Sequence, residues 1–286
     1  MTMAGFFRRL LKTSAAALIM FLAFGPAASA QEPQTPQAIS LPQLEEAANA
    51  NDMLAQFQLG MLYLNGAEGL TINPEEAAKW LQKAADQGLV EAVYNLGLLY
   101  VEGKGVLQDD VTAAGLFQRA ADQGYVSAQY NLGLMYQLGR GVPLDYQQAA
   151  EWYTKAANQN FVEAQISLGR MYETAQGVPR DDVESARWFS KAAETGNAQA
   201  QFYLGVKYDK GLGVNQSPTE AARWFKMAAD QNMPLAQLAL ADRYYQGEGV
   251  TRNYPEAARL YEAAAASGLA QAQASLDRMR NEGLLK

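Results

Sequence analysis

A leucine returns every 36 residues along this chain, and that period limits the possible folds more than any other feature. Leu59, Leu96, Leu132, Leu168, Leu204, Leu240 and Leu276 are separated by 37 residues once and by 36 five times. The same register carries Tyr63, Tyr100, Tyr136, Tyr172, Tyr208 and Tyr244, then an Ala-Ala pair beginning at Ala84, Ala120, Ala156, Ala192, Ala228 and Ala264. A unit this short cannot bury an apolar face alone, so it must stack on its neighbours, and the fold is an all-α solenoid of helix-turn-helix units. Six full units of about 36 residues are present, at 55–91, 92–127, 128–163, 164–199, 200–235 and 236–271.

The stretch from Ala128 to Asn160 shows the unit most completely. Its first helix runs from Ala128 to about Leu138, where Ala128, Leu132, Met135 and Tyr136 recur at helical spacing. Gly133 and its equivalents Gly60, Gly97, Gly169 and Gly205 lie inside that helix, where glycine costs about 1 kcal/mol. Their recurrence predicts a close approach of helix backbones. A Gly-x-Gly loop follows, as at Gly103-Lys104-Gly105 and Gly139-Arg140-Gly141, supplying positive φ at a helix end. A phosphate-cradling loop would need a preceding strand and a following Gly-Lys-Ser/Thr, which are missing. The second helix opens on Asn73, Asp109, Asp145, Asp181, Ser217 or Asn253 as N-cap, with Glu76, Thr112, Gln148, Glu184, Glu220 and Glu256 three places on. Five of these six copies read as capping boxes. Gly88, Gly124, Asn160, Gly196, Asn232 and Gly268 mark the left-handed residue after the helix.

Residues 1–30 read as a signal peptide: Arg8, Arg9 and Lys12 without an acid, an apolar run from Ala15 to Phe24, and Ala28-Ser29-Ala30 for cleavage. The apolar run is shorter than the roughly 20 residues that cross a bilayer. Residues 31–41, with two prolines and no apolar period, read as a disordered leader, and 42–286 as the solenoid. Pro42 to Asn51 matches a second helix and caps the N-terminus; 272–286, with Asp277 where glycine is usual, caps the C-terminus. The expected location is the periplasm, with release outside the cell as the second reading. Three of the 23 basic residues leave with the signal, so the mature chain carries 20 bases against 30 acids, a net charge of −10. Such a balance repels nucleic acid and anionic membrane surfaces.

The residues A-x-x-x-L-G-x-x-Y-x-x-G-x-G-V-x-x-D-x-x-x-A-x-x-W-x-x-x-A-A-x-x-G, spelled almost fully by Ala128 to Asn160, resemble the Sel-1-like repeat family, a branch of the tetratricopeptide-like α/α solenoids. The resemblance covers Ala55 to about Leu276 and implies a right-handed superhelix whose members act as adaptors and regulators in complex assembly, signalling and envelope biology. It implies no particular ligand. A subgroup with a disulfide in each repeat, to which penicillin binding has been ascribed, is not joined by a chain without cysteine.

Chemistry is hard to find. Without histidine or cysteine there is no Ser-His or Cys-His nucleophile pair and no usual zinc ligand set, and no serine is followed three residues later by lysine. The acid pairs Asp109-Asp110 and Asp181-Asp182 fall at N-caps, where the helix dipole accounts for them. No catalytic, cofactor or metal site is expected. Trp80, Trp152, Trp188 and Trp224 share one phase of the second helix, with Leu116 and Leu260 elsewhere, which reads as core.

Recognition is therefore sought where units differ. Positions three, six and seven after the initial alanine of the first helix share a face. They read Gln58, Met61, Leu62; Asn95, Leu98, Leu99; Asn131, Leu134, Met135; Ser167, Arg170, Met171; Tyr203, Val206, Lys207; and Ala239, Asp242, Arg243. In the usual family arrangement first helices line the concave wall, so the stripe offers a groove with an apolar N-terminal half and a mainly basic C-terminal half. Asn95 and Asn131 are expected to hold a peptide backbone, Leu98, Leu134 and Met135 to take apolar side chains, and Arg170, Lys207 and Arg243 to meet carboxylates. The expected partner is a protein or peptide, of an envelope complex; the alternative is a peptidoglycan or exopolysaccharide strand, which exposed Tyr203 and Tyr245 would favour.

Overall fold

The computed structural model describes residues 40–66 and 70–285. The expected signal peptide and most of the expected leader lie outside the described residues; Leu41, assigned to the leader, already opens the first helix. Fourteen helices follow among the described residues: α1 Leu41–Asn49, α2 Met53–Asn65, α3 Pro74–Asp86, α4 Val90–Glu102, α5 Asp110–Asp122, α6 Val126–Leu138, α7 Tyr146–Asn158, α8 Val162–Thr174, α9 Asp182–Glu194, α10 Ala198–Lys210, α11 Pro218–Ala229, α12 Pro234–Gln246, α13 Tyr254–Ala266 and α14 Ala270–Asn281. Consecutive helices pack on one another all along the chain, as a solenoid requires. Helix α1 takes the place of a second helix ahead of the first unit, and α14 that of a first helix after the sixth.

All six N-caps form as expected: the side chain of each accepts the backbone N–H three residues on, which contributes about 1 kcal/mol per helix. The reciprocal half of the expected capping box does not form. The N–H of each N-cap residue donates instead to the carbonyl of the tyrosine in its own unit's first helix, from Asn73 to Tyr63 through Asn253 to Tyr244, at 2.9–3.1 Å. That bond closes the loop and leaves the acids three places on free, and Glu76, Glu184, Glu220 and Glu256 pair with the Lys79, Arg187, Arg223 and Arg259 ammonium or guanidinium groups on the surface.

The helix glycines meet the expectation only in part. Each first helix packs on a fully buried side chain of the second helix, among them Phe117, Tyr153, Phe189 and Phe225. A Cβ added at Gly97 or Gly133 would meet the Phe117 or Tyr153 ring at 2.8 Å, and one at Gly205 the Phe225 ring at 2.6 Å. At Gly97, Gly169 and Gly205 glycine makes room for a ring, whereas at Gly60 and Gly133 a carbonyl of the neighbouring helix, Ala77 or Ala149, also stands 3.2–3.3 Å from the missing Cβ.

A glutamine relay, absent from the sequence reading, links the units. Gln56, Gln129, Gln165 and Gln201 are buried, and each donates its side-chain N–H to a carbonyl near the end of the preceding unit's second helix, Ala48, Ala121, Ala157 or Ala193, at 3.2–3.4 Å. Each of these carbonyls also accepts the backbone N–H of Asn51, Gly124, Asn160 or Gly196 just past the helix, so the glutamine supplies a second donor. The Oε1 atoms of Gln56, Gln129 and Gln201 in turn accept from Gln87, Gln159 and Gln231 at 2.8–2.9 Å. In units four and six the donor's place is held by Thr195 and Ser267, too short to reach, and Gln165 Oε1 and Gln237 Oε1 stay buried without a partner. A buried unpaired acceptor costs about 1–3 kcal/mol. Thr195→Gln is therefore expected to stabilise the protein by about 1 kcal/mol. Urea unfolding checks it, and an unchanged or lower midpoint would show that the relay carries no energy there.

Candidate functional site

Among the residues of the first-helix stripe, Gln58 and Arg170 are exposed and Met61, Asn95 and Leu98 half-buried, whereas Asn131 and Leu134 at the same positions of unit three are buried, as are most residues at position seven. Leu99, Met135, Met171 and Lys207 are buried. At about 100° per residue, position seven is rotated from the open face toward the preceding unit. The outward face is completed by the residue before the initial alanine and by position ten, so that Leu54, Gln58, Met61 and Asn65 lie along α2, and Glu91, Asn95, Leu98 and Glu102 along α4. Leu138 extends the face on α6 and is exposed, whereas Leu134 is buried.

The expected basic half is largely occupied by the chain's own acids. Lys207 is only 1% exposed, its Nζ 2.9 Å from Glu173 and 3.3 Å from Asp182 of the preceding unit, above the Phe189 ring. Arg243 reaches Asp209 at 3.0 Å and also pairs with Glu248. Neither is available to a partner's carboxylate, which corrects the expectation for both; burial of a lone cation is costly, so the fold supplies its counter-ions. Burial opposes ionisation of Asp182, but hydrogen bonds and charge from Arg180 and Lys207 outweigh it and hold the carboxyl below its ordinary range. Of the three expected cations, Arg170 remains exposed.

Two of the amides are anchored. Asn95 donates to the Glu91 carbonyl at 2.7 Å, and Asn131, nearly buried, to the Tyr94 hydroxyl at 3.3 Å. Tyr203 packs its ring on Phe189 and Phe202, and the Tyr245 hydroxyl donates to Glu282 at 2.6 Å beneath Arg278. Both are half-buried, their rings partly covered by these neighbours.

What the structure does bring together is an uncharged strip. Helices α2 and α6 contain no charged residue, and α4 contains only Glu91 and Glu102, at its two ends. Asn95 and Leu98 lie between those acids on α4, with Gln58 and Met61 on α2 and Leu138 on α6. The acid pairs have structural duties: Asp109 and Asp181 cap helices, Asp110 pairs with Arg140 at 2.6 Å, and Asp182 with Lys207 and Arg180. Trp152, Trp188 and Trp224 are buried, with Lys155, Lys191 and Arg223 over their rings at 3.5–4.5 Å. Among the described residues no group of histidine, cysteine or acids could hold a metal ion, and no helix is long and apolar enough to cross a membrane.

The model of the Sel1 repeat matches six consecutive stretches, 54–89, 90–125, 126–161, 162–197, 198–233 and 234–269. The chain belongs to the Sel1 repeat family. Family members of this kind are generally protein-interaction scaffolds and typically non-catalytic. Among solved Sel1-type structures, it is similar to c5321, a protective antigen of uropathogenic Escherichia coli strains, with 39% identity over 86% of this chain and 53% of that one, and a TM-score of 0.83. The chain thus spans about half the length of that relative. A Sel1 repeat protein from Oxalobacter formigenes is 34% identical over 83% of this chain and 79% of that one, with a TM-score of 0.56. Comparison with the curated proteins gives no match.

Proposed function

We propose that this Sel1 repeat protein is a non-catalytic periplasmic scaffold that takes a protein or peptide partner, as part of an envelope complex, on the face formed by α2, α4 and α6. The observation that carries the proposal is the uncharged strip itself. On a chain with 30 acidic residues, three successive first helices carry only Glu91 and Glu102, and they present Leu54, Met61, Leu98 and Leu138 beside the amides Gln58 and Asn95. Apolar surface rimmed by polar groups is the usual mark of an interaction site. Export is supported by the composition of residues 1–30.

Photo-crosslinking in cells from Gln58, Leu98 and Leu138, with Lys155 and Glu151 on the second helix as controls, tests both the face and the compartment. The expected result is capture of a defined envelope partner from the first three positions alone, lost in a Leu98→Asp, Leu138→Asp variant that keeps its helicity. Capture unchanged by that variant would sink the proposal.

A further inference from the structure

A different surface stands out among the exposed apolar side chains. Ile72, Leu107, Val111, Leu144 and Val183 keep between 58% and 90% of their surface exposed, with Leu107 highest. All five fall within two residues of the N-cap of a second helix, in units one to four. They share one edge of the solenoid, where the loop between the two helices of each unit emerges.

The edge is continuous because successive loops seat on one another. Gly105 lies against the Pro74 carbonyl, Gly141 against that of Asp110 and Gly177 against that of Tyr146, so each loop rests on the start of the preceding unit's second helix. This seating sets the loop of Leu107 on the helix start that follows Ile72, and the loop of Leu144 on the helix start that carries Val111. Beyond Val183 the strip ends: unit five carries Asn215, Gln216 and Thr219 at these places, and unit six Thr251, Arg252 and Pro255. Single exposed apolar residues need no explanation, but a row confined to one edge and to four consecutive units does.

The charge around the row decides what fits it. Glu75, Asp109, Asp145 and Asp181 line the edge, and none belongs to an ion pair among the described residues. Arg140 and Arg180 on the same edge are held by Asp110 and Asp182, so among the described residues of these loops Lys104 faces an excess of carboxylates. An anionic membrane is repelled by such a rim, and so is the same edge of a second copy.

We propose that this loop edge is a second docking surface, separate from the first-helix face, and that its occupant is a protein segment whose apolar side chains are flanked by lysine or arginine. Apolar side chains of the segment cover Leu107, Val111 and Leu144 while its cations meet Asp109 and Asp145.

The test uses the full chain and the variant Leu107→Asn, Val111→Thr, Leu144→Gln, in which each new residue is the one unit five already carries at that place, so folding is preserved and verified by circular dichroism. The probes are an amphipathic leucine-lysine peptide, its leucine-glutamate counterpart, and vesicles of phosphatidylcholine with phosphatidylglycerol. The leucine-lysine peptide is expected to bind the natural chain at least tenfold more tightly than its glutamate counterpart. Its affinity is expected to fall at least tenfold in the triple variant and to stay unchanged in the Leu98→Asp, Leu138→Asp variant. Failure of the lysine peptide to bind, equal binding to the triple variant, or equal binding of the glutamate peptide would each overturn the proposal. Vesicle binding or self-association lost in the triple variant would also overturn it, assigning the edge to lipid or to a second copy.

Discussion

Gly141→Ala is expected to lower stability by about 3–5 kcal/mol, combining the cost of a left-handed alanine with overlap against a neighbouring backbone. Gly141 sits at φ 67°, and a Cβ there would fall on the Asp110 carbonyl carbon and oxygen, far inside the 3.0 Å that real Cβ atoms respect. Neither side can yield easily. Asp110 is the first residue of α5, its carboxylate is held by Arg140 in the same loop, and Asp109 beside it is fixed as the N-cap. The clash lies between units two and three, so the loss should appear as uncoupling as well as destabilisation: a broader urea transition with a smaller m-value, because each unit of a solenoid is supported only by its neighbours. Gly124→Ala is the control. Gly124 also has positive φ, 85°, but nothing within 4 Å of its missing Cβ, so alanine there is expected to cost about 1–2 kcal/mol with the m-value unchanged. If the two substitutions cost the same, the loops do not lock the units together.

That contrast shows why some of this fold was legible in the sequence and some was not. Features that depend on residues close in the chain were readable: the N-caps at Asp145 and its equivalents, the left-handed Asn160 and Asn232, and the pairing of helices within each unit. Features that depend on atoms one unit away were not. Gly141 could be read as a turn glycine, but its approach to Asp110 spans 31 positions and leaves no local pattern. The glutamine relay was visible as Gln56, Gln129, Gln165, Gln201 and Gln237 in one register, yet its meaning required seeing that Gln87 and Gln159 end the helix alongside. For the candidate face, the helical period put positions three and six on one side of the helix, and Gln58, Leu98 and Arg170 do reach the surface while Asn131 and Leu134 are buried. It placed position seven on the wrong side, because the direction in which a helix meets its neighbour is set by packing between units rather than by spacing within one. Lys207 thus looked like an open cation and is an internal counter-ion.

The helix glycines allow the same distinction to be measured between Gly205 of α10 and Phe225 of α11. Phe225→Ala is expected to cost about 3–5 kcal/mol, because the ring is fully buried and the space it leaves is walled by rigid helices. Gly205→Ala alone is expected to destabilise by about 1–3 kcal/mol, since the new Cβ would stand 2.6 Å from ring carbons of a side chain that cannot swing away. In the Phe225→Ala background the ring is gone, and the same Gly205→Ala change should become stabilising by about 1 kcal/mol through helix propensity. The sign reversal is the decisive outcome, read from the four urea midpoints of a double-mutant cycle. Were the glycine there to admit a neighbouring backbone, as the sequence pattern suggested, alanine would destabilise whether or not the ring is present. Unit six supports the reversal from within the chain: Ala241 replaces the glycine opposite Tyr261, and both are fully buried, so a methyl group is accepted once the facing side chain is placed to receive it.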